Sequence, residues 1–254
     1  MSHVLTETKD RVLRIELART DKKNALTQDM YRVMRQALAA ADADSQVRAI
    51  LIHGTRDCFT SGNDLKDFLG RKPGDGPAES FRFINALPQV AKPLVAAVGG
   101  PAVGVGTTML LHCDLVYASP AARFQMPFVP LGVVPEAASS LLLPMVAGYQ
   151  RAAELLLLGQ PFSAEKALAA GFVTEIVPEA ELLEYARNAA AAVAALPPAS
   201  VRLAKQLMKR PLLEAIAAQM QEEGRIFAER LQSAEAKEAM TAFLEKRKPD
   251  FSRF

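Results

Sequence analysis

The stretch KPLVAAVGGPAVGVGTTMLLHCD, residues 92–114, restricts what this chain can fold into more than any other. It opens on Leu94 to Val98, an apolar run of small and β-branched residues set between Pro93 and Gly99. Short and bounded by breakers, that run reads as a buried strand rather than a helix. Gly99, Gly100, Gly104 and Gly106 follow around Pro101, and residues 107–113 then read as the start of an apolar helix closed by Asp114. Glycines between a buried strand and a helix let the backbone pass very close to a neighbour. They also leave amides near a helix N-terminus free to face an oxygen that carries negative charge. The same cluster equally suits tight packing of helix on sheet, and a glycine-rich turn alone does not choose a ligand.

Upstream, residues 12–18 alternate, with Leu13, Ile15 and Leu17 on one side and Arg14 and Glu16 on the other. That is the pattern of a strand with one wetter face. Beyond the polar loop RTDKKN, Thr27 is placed to cap a helix in which Leu26, Met30, Met34 and Leu38 recur at helical spacing. Residues 47–53 read as a second strand stopped by Gly54. Strand, helix, strand is an α/β opening. Further strands are expected at 115–118, 123–125 and 172–177, and helices at 80–87, 150–158, 163–171 and 179–196. Helices at 200–210, 212–231 and 234–246 make an all-helical tail. Its stripe of Leu213, Ile216, Met220 and Phe227 is suited to packing on the core or on a neighbouring subunit.

Two segments carry candidate chemistry. In CFTSGNDLKDF, residues 58–68, Ser61-Gly62-Asn63 is a polar bend between a strand-like approach and a helix opening on Asp64, which is placed to cap it. This repeats the strand–glycine–helix pattern of residues 92–114, so two such junctions could face one site. Residues 70–80, rich in glycine and proline, read as a mobile loop over a pocket mouth. The second segment, MPFVPLGVVPEAASSLLLPMVAG at 126–148, is almost wholly apolar, and its single charge is Glu136. Glutamate is seldom deeply buried unless paired or functional. A helix start is expected after Pro135, with Ser139 and Ser140 in its first turn, and a carboxylate there also favours the helix dipole without any chemistry. Glu136 is nonetheless the best lone carboxylate for a general base, because an apolar setting raises its pKa toward working pH.

Composition narrows the partners. A formal charge of +2 with 23% charged residues gives no basic excess to demand nucleic acid. With no Trp and 6% aromatics, the chain is poor in stacking platforms for bases. Arg202, Lys205, Lys209 and Arg210 form a modest basic stripe, whose sign would be salt-sensitive retention on RNA, but no nucleic-acid partner is expected. No apolar run approaches membrane-spanning length, and MSHVLTETKDR lacks the apolar core of a secretory signal. Cys58 and Cys113 lack CxxC spacing and are expected as packing thiols in a reducing cytosol. His53 and His112 are expected to be packed and hydrogen-bonded, and no spacing suggests a metal site.

Several motifs now stand in one order: KKNAL, FTSGNDL, KPLVAAVGGPAVGVG, the Cys113–Asp114 pair, PFVPLGVVPE and AAGFVTEIV. Together they resemble the enoyl-CoA hydratase/isomerase family, the crotonase-like fold, across nearly the full length. The resemblance implies an α/β fold with a spiral of ββα turns over residues 1–197. It further implies a C-terminal helical trimerisation or lid region over residues 198–254, in a homotrimer or dimer of trimers. The implied substrate is an acyl-CoA thioester, with no separate cofactor because coenzyme A is part of the substrate. Carried over by position, the thioester oxygen meets the N–H groups of Asn63 and Val105, with Gly104 beside the second. Lys22, Lys23, Ala25, Ser61, Asp64 and Leu65 fall where the family binds the coenzyme. The two lysines could meet its phosphates, and Lys246, with Arg247 and Lys248, could reach the 3′-phosphate across a subunit boundary.

Hydratases of this family activate water with two glutamates, and those positions are Thr108 and Phe128 here. Neither exchanges a proton as a carboxylate does. Isomerases that shift a 3-enoyl double bond to the 2-position often keep one glutamate further along, and that position is Glu136. The wording of SGNDL and VPE is most similar to peroxisomal-type Δ3,Δ2-enoyl-CoA isomerases. The chain ends in SRF, unlike the usual peroxisomal tripeptide, so a cytoplasmic location is expected. The expectation is an isomerase with Glu136 as base. A hydratase or other crotonase-type acyl-CoA enzyme, and a CoA-binding or RNA-binding protein without turnover, are the alternatives.

Overall fold

The computed structural model describes residues 3–64 and 78–254. Leu65, the helix expected to open on Asp64, and the expected loop at 70–80 as far as residue 77 lie outside the described residues. The chain enters through a hairpin of β1 (Val4–Lys9) and β2 (Val12–Leu17), turned by Asp10 and Arg11 at φ 50° and 64°. Helix α1 (Gln28–Ala43) starts where Thr27 accepts the Met30 N–H, and β3 (Ala49–His53) follows. Next come α2 (Glu79–Ala86), β4 (Leu94–Val98), β5 (Pro101–Val103) and α3 (Val105–Thr108). The apolar helix expected over 107–113 is thus one α-turn that tightens into a 3₁₀ turn through His112. Then follow β6 (Leu115–Ala118), β7 (Arg123–Gln125), α4 (Ser139–Ala147), α5 (Tyr149–Leu158), β8 (Phe162–Ser163) and α6 (Ala164–Ala169). The chain closes with β9 (Glu175–Ile176), α7 (Leu182–Ala195), α8 (Pro198–Lys209), α9 (Leu213–Leu231) and α10 (Ala234–Leu244).

One sheet runs β1-β2-β3-β4-β6-β9, parallel except for the β1 hairpin. A parallel strand covered on both faces must be apolar at every position. All five residues of β4 are buried, with Ile50 paired to Leu94 on one side and Val95 to Leu115 on the other. Alternation then divides the core. Ala49, Leu51, Val95 and Ala97 turn toward α7, where Ala186, Ala190 and Ala194 form a stripe of methyl groups. Ile50, Ile52, Leu94, Ala96 and Val98 belong to the larger core with Met34 and Leu38.

Each parallel strand hands the chain to a second layer before its helix. β4 passes into β5 and β6 into β7, and the second sheet runs β5-β7-β8. The same step after β3 is a bridge of Thr60 to Ala102, and after β2 a bridge of Leu26 to Asn63. The corner from β4 to β5 needs glycine. Gly100 has φ +64°, and a Cβ on it would lie 2.0 Å from the Asp57 carbonyl oxygen. The result is a spiral of strand–strand–helix turns.

The tail closes over one end of this spiral. α9 buries Ile216, Met220 and Glu223, and its Gly224 leaves room for the Phe81 ring of α2. α8 differs, leaving Leu203, Leu207 and Met208 more than half exposed. Its basic residues do not form the surface stripe expected from the sequence. Lys205 is buried, donating to the Lys92 carbonyl at 2.6 Å and to Asp114 at 2.7 Å, and Lys209 donates to the His112 carbonyl at 2.8 Å. Cys58 and Cys113 are free thiols. Among the described residues, no helix is long and apolar enough to cross a membrane.

Candidate active site

The two glycine-flanked junctions meet. Val103 donates to the Thr60 carbonyl at 3.0 Å, a Cβ on Gly62 would lie 3.0 Å from the Val103 oxygen, and one on Gly106 would lie 2.4 Å from Thr60 Cγ2. Gly62 adopts φ +90°, which turns the following peptide outward. The Asn63 side chain is occupied, its Oδ1 accepting from the Tyr31 hydroxyl at 2.6 Å. At the second junction Gly104 adopts φ +58°, and Val105 opens α3, where a helix's first N–H groups have no intrahelical partner. Neither the Asn63 nor the Val105 N–H donates to an acceptor among the described residues.

Both residues line a cavity of about 1080 Å³. Lys22, Ala25, Ser61, Asp64 and Gly104 line it too, and Phe227, Met240 and Phe243 close it from α9 and α10. Asp64 pairs with Arg19 at 2.7 Å. Three other basic positions named from sequence, Lys23, Lys246 and Lys248, are exposed and do not line the cavity. Arg247 does line it, anchored by Glu238 at 2.5 Å. That pairing holds the Glu238 carboxyl down at about 2.

Glu136 lines the same cavity. It does not sit in the first turn of a helix, because α4 begins three residues later. Between them Ala137 and Ala138 are both left-handed, at φ 61° and 54°, a conformation that costs a side-chain-bearing residue on the order of 1–3 kcal/mol. The loop is held from two sides. His112 Nε2 donates to the Ala137 carbonyl at 2.8 Å. Glu223, from α9, accepts from the Ala138 N–H at 2.6 Å, the Ser140 N–H at 3.1 Å and the Ser140 hydroxyl. The donors at the start of α4 therefore engage Glu223, and the helix-dipole account of Glu136 does not describe this structure.

The Glu136 residue is half-buried, but its Oε1 is sealed from water and has no hydrogen-bond partner among the described residues. Burial, and secondarily the Glu223 charge, push its carboxyl up to about 8. Glu136 also borders a second cavity of about 580 Å³ between α2 and α9, lined by Phe81, Ile84, Met220, Phe227 and Leu231. It stands where the two cavities adjoin. Of the two positions noted for lacking glutamate, Phe128 lines the larger cavity, and Thr108 is buried with its hydroxyl unpartnered. His53 is packed, its Nδ1 donating to the Gly54 carbonyl at 2.7 Å. Among the described residues, no group of His, Cys, Asp or Glu side chains could hold a metal ion.

Residues 7–253 match the enoyl-CoA hydratase/isomerase family. The chain belongs to that family. The crotonase-like fold expected from the motifs is present. A crystal structure of an enoyl-CoA hydratase/isomerase from Pseudoalteromonas atlantica T6c superposes with a TM-score of 0.94 at 44% identity, covering 99% of this chain and 100% of that one. Among curated relatives, enoyl-CoA delta isomerase 2 of Rattus norvegicus is 37% identical over 97% of this chain, and the chain spans 64% of that relative's length. The 2,3-dehydroadipyl-CoA hydratase of Escherichia coli is 31% identical over 99% of both chains. Isomerase and hydratase relatives stand at similar distances, so family membership supports enoyl-CoA chemistry and leaves the reaction to the site.

Three contributors to the site escaped the sequence reading: Glu223, Tyr31 and Arg19. Glu223 had a signal. It falls on the apolar stripe of α9 between Met220 and Phe227, a position that faces inward.

Proposed function

We propose that this protein moves the double bond of an acyl-CoA from the 3- to the 2-position, with Glu136 as the only acid–base group. The observation that carries this reading is that one cavity is lined by a carboxyl whose buried Oε1 has no partner among the described residues and by two amides that donate to none of them. Removing a C2 proton beside a thioester builds negative charge on the carbonyl oxygen, and the Asn63 and Val105 N–H groups stabilise it where it develops. Glu136 takes that proton and returns it to C4 of the dienolate. No water enters the balance. Hydration needs paired carboxylates to orient water, and Thr108 and Phe128 stand at those positions.

In this reading coenzyme A lies along Lys22, Ala25, Ser61 and Asp64, and no separate cofactor is needed. The far end of the acyl chain enters the second cavity past Glu136, against Phe81, Ile84 and Met220. The protein assembles as a homotrimer or dimer of trimers through apolar surface such as Leu203, Leu207 and Met208 of α8. Sedimentation of the purified protein as a monomer would remove that part.

The test supplies a 3-enoyl-CoA and a 2-enoyl-CoA separately. Double-bond migration in the first is expected to be clear, and water addition to the second far slower. Glu136→Gln keeps the size and removes the base, and should lower turnover at least about a hundredfold. Solvent deuterium should enter the product less than fully, since the same carboxyl returns the proton it took. Fast hydration of the 2-enoyl substrate, or parent-rate isomerisation by Glu136→Gln, would refute the assignment.

A further inference from the structure

The loop that carries Glu136 contains two consecutive left-handed alanines and no glycine to relieve them. Such backbone persists only where its surroundings over-determine it. His112 supplies one restraint and Glu223 the others, through the two N–H groups that flank Ser139 and the Ser140 hydroxyl. Gln219 in turn donates to the Ser140 oxygen at 2.8 Å. Glu223 is 4% exposed and forms no ion pair among the described residues. A neutral acceptor would serve the same donors without bringing a second charge into the protein interior, which is costly. The second carboxylate therefore calls for an account beyond capping α4.

The two acids are treated differently by their surroundings. Burial raises both carboxyls, but at Glu223 three donors oppose that rise, whereas the sealed Oε1 of Glu136 has no donor among the described residues. We infer that Glu223 is a positioning residue for Glu136: it clamps the left-handed loop through three donors, and those donors favour holding the negative charge of the pair on Glu223 and the proton on Glu136. This rests on the reading of Glu136 as the base.

The other charges around the pair are accounted for. The larger cavity is also lined by Lys22, the Arg19–Asp64 pair, and Arg247 held by Glu238 and Glu245. At the second cavity Arg225 is held by Glu222 and Glu229. Below the loop His112 is neutral, burial having pushed it down to about 4, with Lys205 and Lys209 engaged by Asp114 beyond it. Besides burial, the group that raises Glu136 is Glu223. The consequence is functional. At pH 7 only about a tenth of Glu136 is free to act as base, but once it has taken the C2 proton it holds it long enough to deliver it to C4.

The experiment measures kcat/KM for a 3-enoyl-CoA between pH 5.5 and 9.5 in the parent, Glu223→Gln, Ser140→Ala and Glu136→Gln. It is paired with infrared titration of the protonated Glu136 carboxyl in the free enzyme, identified as the band missing from Glu136→Gln. The parent should gain activity with rising pH, half-maximal near pH 8 and level by about pH 9, and its band should vanish over the same range. In Glu223→Gln both transitions should fall by about one unit or more, since a like charge has been removed. Ser140→Ala, which takes one donor from Glu223, should move them the same way by a smaller step and serves if Glu223→Gln does not fold. Equal loss of activity at every pH, with limb and band unmoved in the foldable variants, would overturn the inference and leave Glu223 a structural clamp. Parent-rate turnover by Glu136→Gln would instead defeat the base assignment, while the infrared titration still reports whether Glu223 sets the Glu136 proton affinity.

Discussion

Glutamine at position 136 would keep the shape of the side chain and remove its ionisation, which makes stability as informative as activity. The Glu136 carboxyl is raised from 4.5 to about 8 on folding, chiefly by burial. Its folded-state pKa lies above the unfolded value, so folding binds the proton more tightly. Glu136 therefore costs nothing below about pH 4.5, destabilises the fold increasingly from there to pH 8, and costs a constant amount above. At about 1.36 kcal/mol per unit, the penalty at pH 7.5 has a ceiling of roughly 4 kcal/mol. Access of water through two adjoining cavities lowers it, and about 2 kcal/mol is the working expectation. For a chain of this size that is roughly 4–8 °C in melting temperature. Melting curves of the parent and Glu136→Gln should nearly coincide at pH 4.5–5 and separate by pH 7.5, with the variant the more stable. A variant that melts at or below the parent at pH 7.5, or by the same margin at both pH values, would refute the linkage.

Other expectations follow from single contacts. Lys205→Met removes the cation that Asp114 and the Lys92 carbonyl share, and should cost about 3 kcal/mol in urea unfolding, because Lys209 reaches Asp114 only at 3.9 Å. Gly62→Ala puts a side chain at φ +90°, 3.0 Å from the Val103 oxygen, and so displaces the Asn63 N–H. It should lower kcat about tenfold or more with little change in KM, as loss of a transition-state contact does. Asn63→Ala keeps the backbone donor and removes the Oδ1 that accepts from the Tyr31 hydroxyl, so about 1 kcal/mol of stability should go while kcat stays within about tenfold. A loss as large as that of Glu136→Gln would instead mean that the Asn63 side chain takes part in the chemistry.

Much of the fold was legible because some segments have only one way to be buried. Leu94–Val98 is apolar at every position and sits covered on both faces. Thr27 and Ser163 cap their helices as their side chains allow, accepting from Met30 and Lys166. Other elements depend on partners far along the chain. β1 buries only Val4, so VLTETK carries no strand alternation, and its place is set by pairing with β2. β5 is three residues after a glycine pair, held by β7 more than twenty positions later. The strand expected at 172–177 shrinks to Glu175–Ile176 because Phe172 turns its ring onto Phe124 and Phe162. An apolar run there marks a core-facing loop. Charge pattern misled once: Lys205 belongs to a basic series on α8, yet its ammonium reaches inward to a carbonyl and a carboxylate.

The site divides along the same line. Glu136 was visible because it is the lone charge in a long apolar segment, and the amides of Asn63 and Val105 because glycines flank them. Glu223 was camouflaged by Glu222, Arg225 and Glu229, which form ordinary solvent-facing pairs on the same helix. Only helical geometry separates it from them, since 223 is three residues from Met220 and four from Phe227. Several local rules are broken together here: two left-handed alanines, a carboxyl oxygen with no partner among the described residues, and a buried acid, Glu223, behind it. Through the parallel sheet propensity, pattern and packing agree, and a core of that kind can carry a few kcal/mol of local strain. A loop so held cannot relax Glu136 away from the cavity when it gains or loses its proton. The proposed single-base transfer, which takes a proton at one carbon and returns it at another without exchanging partners between, requires that rigidity.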